Sequence, residues 1–274
     1  MLRGRRPYIA SMQLPFAIRD VGQRLFRGVP IRVASGLNQG MRWSIVSTGR
    51  GYGSGTFGVR RLDVLRHVVR PGDTVWDVGA HKGFMTLALA QLVGPTGRVV
   101  SFEPSARNRW FIERHLTWNA ITNATLLPVA IGSERGDAEF GGRGDSLAYQ
   151  LGHGDETVPV RRIPDVIDEF GVPTPDVLKI DAEGQEAGML RTAGDALPDH
   201  AALLISVHGR DMHAECTEAL AHRGFTLLES WDMALCSRDP DRAWTSDHDL
   251  LAIGPTRDVD LAAISALPLF SGHD

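Results

Sequence analysis

Lysine is almost missing from this chain: Lys82 and Lys179 are the only two, and the rest of the 29 Lys and Arg residues are arginine. Cysteine is as scarce. Cys216 and Cys236 form no C-x-x-C pair or other ligand spacing, which argues against a cysteine-built metal site, and nothing in them requires an oxidising compartment. No apolar run approaches the length of a membrane span. Arg3, Arg5 and Arg6 are followed by only a short apolar stretch broken by Pro15, which makes a poor signal peptide, so a cytoplasmic protein is expected. A net charge of −4 at pH 7 argues against a general nucleic-acid footprint. The amino terminus departs from that balance, with Arg3, Arg5, Arg6, Arg19, Arg24 and Arg27 set against Asp20. It reads as a solvated basic arm, with contact to a carrier protein, an acidic ligand or an anionic membrane left open.

What is present is strand–helix alternation. The expected strands are Thr74–Val78, Arg98–Phe102, Ala124–Ile131, Asp176–Ile180, Ala202–Val207, Phe225–Leu228 and Leu250–Ile253. The expected helices are residues 59–69, Phe84–Val93, Ala106–Trp118, Ile163–Phe170, Glu186–Ala196 and Met212–Arg223. Such order implies a parallel sheet with helices on both faces. No helix is evident between the last two strands, so one of them is expected to run antiparallel. Ile31–Val33 and Met41–Val46 suggest a small hairpin, followed by a glycine-rich loop from Thr48 to Gly58. Residues 133–160 read as less regular, with a loop at residues 141–145 and a short strand at Thr157–Val160. The organisation expected is an arm, hairpin and loop over residues 1–58, a single α/β domain over 59–256 and a tail over 257–274.

The stretch Asp77-Val78-Gly79-Ala80-His81-Lys82-Gly83, between the first strand and helix of a βαβ unit, is answered by Glu103 at the end of the next strand. Such a unit holds a ribose-bearing molecule at the carboxyl ends of its strands. The loop lacks the middle glycine of G-x-G-x-x-G, and Asp77 would repel a pyrophosphate. An acid there suits a cation, and S-adenosylmethionine (SAM) carries an ammonium and a sulfonium. Glu103 has the chemistry to accept hydrogen bonds from two ribose hydroxyls.

These residues, with Phe102-Glu103-Pro104, Asn119, Val129-Ala130-Ile131-Gly132 and Lys179-Ile180-Asp181-Ala182-Glu183-Gly184-Gln185-Glu186, resemble the FkbM family of SAM-dependent methyltransferases over about residues 55 to 207. The resemblance implies a Rossmann-like class I methyltransferase fold, with a seven-stranded, mostly parallel sheet and one antiparallel strand. It also implies methyl transfer to oxygen, on a sugar or natural-product hydroxyl. The family often has Asn where this chain has His81.

The expected cofactor residues are Asp77, Gly79, Ala80, His81, Gly83, Glu103, Pro104, Ser105, Asn108, Ala130, Ile131 and Asp181. Asp181 and His208 end adjacent strands and are candidate general bases. Asp181 is alternatively a partner of the SAM ammonium. Lys179 shares a strand face with Asp181, as a base or in a structural ion pair. Asp181, Glu183 and His208 also make a weak metal possibility, although no metal is favoured. Glu183, Tyr52, Phe57, Arg143 and Tyr149 are candidates to line an acceptor pocket under two lids, at 49–58 and 141–157. His67, His115, His153, His200, His213, His222 and His248 have no chemical context and read as surface or packing residues. The partner expected is a small-molecule hydroxyl acceptor, with no nucleic acid and no membrane span, and a homodimer is left open. A non-catalytic SAM-binding regulatory subunit is the alternative. No N/D-P-P-Y/F signature for base amino groups is present.

Overall fold

The computed structural model describes residues 25–47, 49–142, 150–182, 184–238, 244 and 248–272. An amino-terminal hairpin pairs Pro30–Arg32 (β1) antiparallel with Arg42–Ser44 (β2), as expected. Val59–Val68 (α1) leads into the alternating part: Thr74–Val78 (β3), Phe84–Leu92 (α2), Arg98–Phe102 (β4), Ala106–Trp118 (α3) and Ala124–Leu127 (β5). After Ala130–Ile131 (β6), Gly136–Gly141 (β7), Gln150–Leu151 (β8) and Glu156–Arg161 (β9), the alternation resumes. Ile163–Phe170 (α4), Val177–Ile180 (β10), Glu186–Thr192 (α5), Ala202–Val207 (β11), Arg210–Ala221 (α6) and Thr226–Glu229 (β12) follow. Trp231–Arg238 (α7), His248–Ile253 (β13), Leu261–Ser265 (α8) and Pro268–Ser271 (α9) close the chain's described part.

The main sheet has the strand order β12-β13-β11-β10-β3-β4-β5. All of its strands are parallel except β13, which runs antiparallel to both neighbours. This is the expected mostly parallel, seven-stranded sheet. Its central strands are covered on both faces, so β10 and β11 read as unbroken apolar or buried runs. The period of two sorts neighbours: Trp76, Val100, Leu178 and Leu203 join one core, and Val75, Val99, Val177 and Leu204 join the other.

Three expectations are corrected. The strand foreseen over Ala124–Ile131 breaks at Pro128, which has no N–H for a ladder, and β6 leaves for a second, four-stranded sheet of order β6-β9-β7-β8. The less regular region therefore holds a sheet: its Thr157–Val160 strand is β9, but β7, with only one large apolar residue, Phe140, to signal it, was not foreseen. A short helix, α7, does lie between the last two strands, with Met233 and Cys236 buried one turn apart.

The hairpin is locked onto the main fold. Trp43 is fully buried and stacks on His115 of α3 with ring centroids 3.8 Å apart. His115 Nε2 accepts the Ser44 N–H (3.0 Å), so Nδ1 carries the proton and donates to the Lys82 carbonyl (2.8 Å). Burial pushes this imidazole down to about 4. Asn119 adds a reciprocal pair of bonds to the Arg42 backbone.

Candidate functional site

The carboxyl ends of β3, β4 and β10 meet the loops that follow them around a cleft of about 900 Å³, its open mouth included. The loop after β3 is built on left-handed residues. Gly79 has φ +74°, and a Cβ on it would fall 2.0 Å from the Asp181 carbonyl oxygen. His81 has φ 51°, a left-handed conformation that His adopts more readily than most side chains. Gly79 and Ala80 donate their N–H groups to the Phe102 carbonyl, both at 3.1 Å.

Glu103 closes this loop from the next strand. Its Oε2 accepts the His81 N–H (2.7 Å), and its Oε1 accepts the Ser105 N–H (2.9 Å) and Asn108 Nδ2 (3.2 Å). Burial pushes its carboxyl up to about 7, against the pull of those donors and of Arg109. Asn108 Oδ1 is buried and accepts no hydrogen bond from the described residues. Val129, Ala130, Ile131, and Phe140 and Leu151 from the second sheet, complete this side with an apolar wall.

On the other side of β3 lie Tyr52, Phe57, Arg61, Met85, Lys179, Asp181 and Ala182. The glycine-rich loop is packed here. Tyr52 is buried between Trp43 and Phe57, and its hydroxyl lies 3.4 Å from His81 Nδ1. Gly55 abuts the hairpin so closely that a Cβ would sit 1.9 Å from the Ser35 carbonyl oxygen.

A charged cluster underlies that side. Lys179 Nζ is 3.2 Å from Asp77 Oδ1 and 3.9 Å from Asp181 Oδ2, and it donates to the Val78 and Gly79 carbonyls. Arg61 Nε bonds both oxygens of Asp249 (2.8 and 2.9 Å), while its Nη1 stands 3.9 Å from Asp181 Oδ2. Burial raises the Asp249 carboxyl above its ordinary range although Arg61 opposes this. His208 places Nδ1 2.8 Å from Glu186 Oε1 and Nε2 4.0 Å from Asp181 Oδ1.

Of the expected site residues, Gly79, Ala80, His81, Glu103, Pro104, Asn108, Ala130, Ile131, Lys179, Asp181, Tyr52 and Phe57 line the cleft. Asp77 does not face it as expected: it is fully buried, with Oδ2 accepting from Thr86 (2.7 Å) and Oδ1 against Lys179. Its charge orders the floor of the site. Gly83 caps α2 and packs toward Ile112, and Ser105 is buried at the start of α3. Glu183, Arg143 and Tyr149 lie outside the described residues. Among the described residues, no group of three or more His, Cys, Asp or Glu is arranged to hold a metal ion, and no helix is long and apolar enough to cross a membrane.

Sequence reasoning missed Arg61, Asp249, Phe140, Leu151 and the contact of Glu186 with His208. One signal pointed to Asp249. It is an acid at the start of the last strand, and reversal of that strand brings its beginning to the edge where the parallel strands end, opposite Ser206 of β11.

The family model of the methyltransferase FkbM domain matches residues 77–227, more than half of the chain. No curated protein matches the chain in sequence. Solved structures similar to it include a methyltransferase FkbM from Methylobacillus flagellatus KT, at 19% identity over 70% of this chain and 50% of that one, with a TM-score of 0.47. Another is the Aeropyrum pernix fibrillarin with natively bound S-adenosyl-L-methionine, at 16% identity over 68% of each chain, with a TM-score of 0.44. A third is an SAM-dependent O-methyltransferase from Thermotoga maritima, at 16% identity over 73% of this chain and 66% of that one, with a TM-score of 0.44. The chain thus spans half the length of the Methylobacillus protein. With its matched domain running from Asp77 at the end of β3 through β4, β10 and β11 into β12, the chain belongs to the FkbM family of SAM-dependent methyltransferases.

Proposed function

We propose that this chain is an O-methyltransferase that moves the methyl group of SAM to a hydroxyl of a small molecule, a sugar or natural-product alcohol. The residues present fit SAM. Glu103 offers a carboxyl at the cleft wall, and beside it Asn108 Oδ1 is a buried acceptor with no hydrogen-bond partner among the described residues. When bound, SAM supplies an activated methyl group whose carbon–sulfur bond breaks, with its electron pair left on sulfur, as the oxygen–carbon bond forms.

Glu103 and Asn108 hold the ribose, and Ala130 and Ile131 flank the adenine. The loop from Gly79 to Gly83 takes the methionine part. Asp181, 30% exposed in its side chain and facing the cleft, meets the positive charge of the cofactor. Tyr52 and Phe57 form an apolar wall for the acceptor and keep water from the site. The observation that carries the choice of oxygen is the imidazole of His208 beside Asp181 at this same edge, because an alcohol must lose a proton as it is methylated.

Calorimetry with SAM is the first test, and no binding by the wild-type protein overturns the reading. With SAM saturating, loss of turnover in His208→Ala or Asp181→Asn across a panel of alcohols supports it. Full turnover in both removes the base assignment. SAM binding with no transfer to any acceptor favours a non-catalytic, SAM-binding regulatory subunit.

A further inference from the structure

Glu186 has no counterpart among the roles assigned above, yet its carboxylate lies 2.8 Å from the proposed base. It opens α5, is fully buried, and accepts the Gly184 N–H on both carboxylate oxygens (3.2 and 3.0 Å). Oε1 also meets His208 Nδ1 at 2.8 Å across the gap to the end of β11. The geometry points to Glu186 as the positioning residue of His208: it takes the Nδ1–H bond, fixes that tautomer and turns a proton-accepting Nε2 toward Asp181, which lines the cleft. The proposal rests on the O-methyltransferase reading and deepens it.

The chemistry follows from which nitrogen is protonated. A neutral imidazole has one N–H, and a carboxylate on Nδ1 selects the form whose Nε2 lone pair is available. When the acceptor hydroxyl gives its proton to Nε2, the positive charge on the ring is held by a carboxylate already in contact with the other nitrogen. The oxygen keeps the electron pair that forms its bond to the methyl carbon. An aliphatic alcohol needs this assistance, whereas an amine or a thiolate does not. Glu186 therefore suits a neutral hydroxyl as acceptor.

Among the described residues, the charged groups around the ring come from two elements. Asp181 faces it from β10 and Glu186 from α5, while Lys179 and Arg61 stand behind Asp181. On its own side, Arg210 turns its guanidinium to the Cys236 carbonyl.

The test uses the full chain labelled with 15N-histidine, with His208 assigned by the signals lost in His208→Gln. Two-bond 1H–15N spectra of the neutral ring should show Nδ1 protonated and Nε2 bare. In Glu186→Gln the carboxylate charge is gone, and the His208 titration should move to lower pH by about one unit, the order expected for one adjacent opposite charge. A wild-type ring protonated on Nε2, meaning that the carboxyl donates to Nδ1 instead, overturns the proposal. An unmoved titration in a folded Glu186→Gln overturns it as well. If that variant does not fold, the wild-type tautomer alone decides. Calorimetry with SAM on the wild type separates the two readings, since absence of binding there ends the methyltransferase reading and leaves the tautomer result standing.

Discussion

Gly79 and Asp181 touch backbone to backbone: a methyl group on the first would lie 2.0 Å from the carbonyl oxygen of the second. The end of β3 and the end of β10 are thereby held in contact beneath the loop that follows β3. Gly79 also has φ +74°, a region costly for any side chain.

Gly79→Ala should destabilise the fold by about 2 kcal/mol or more, since neither backbone can yield cheaply. SAM affinity should fall with it. Urea denaturation and calorimetry read the two effects.

His115 should make stability rise with pH in the mildly acidic range. Its ring is held near 4 in the folded chain, against an ordinary value of 6.5. Between those values the unfolded chain binds the extra proton. Stability is full above 6.5 and is lost as pH falls toward 4, by about 3 kcal/mol at the limit. His115→Gln should flatten that part of a denaturation series run at several pH values.

Glu103 should act in the opposite sense. Its folded value of about 7 stands above an ordinary 4.5, so in that window the folded chain binds the extra proton. Its contribution is present below 4.5 and is lost as pH rises through 7. The two slopes offset each other in the wild type, and Glu103→Gln should expose the rising slope of His115. On the proposed ribose role of Glu103, which needs the ionised carboxylate as acceptor, SAM affinity should fall below pH 7, by up to about tenfold per pH unit. A pH-independent dissociation constant for SAM would count against the ribose assignment.

Arg61→Met should cost about 3 kcal/mol or more by leaving the Asp249 carboxylate buried without its partner. Arg61→Met combined with Asp249→Asn should recover part of that loss. A double-mutant cycle by chemical denaturation measures the coupling, and additive losses would show that the pair is not coupled.

The sequence carried the βαβ unit from Thr74 to Phe102 well because its signals are local. An apolar strand, a turn that only glycine can make and an apolar helix sit within thirty residues. The same locality made Gly79, His81 and Glu103 legible as cleft residues. Asp77 misled, since nothing local reveals that Lys179, a strand away, would claim its carboxylate. Arg61 and Asp249 are 188 residues apart, and only the finished sheet brings them together. The second sheet was illegible for another reason: β7 alternates weakly, and Pro128 hides the break that sends β6 away from the main sheet.

The reversal of β13 divides the carboxyl-terminal part of the chain into two mutational regimes. A parallel strand enters at the far edge and leaves at the cleft, whereas β13 enters beside the cleft, at His248 and Asp249, and leaves at Ile253 opposite Ala202. Substitutions near its beginning should therefore register in activity and acceptor choice. Substitutions near its end should register only in how firmly the sheet holds together, so this short strand offers directed evolution separate handles on selectivity and robustness.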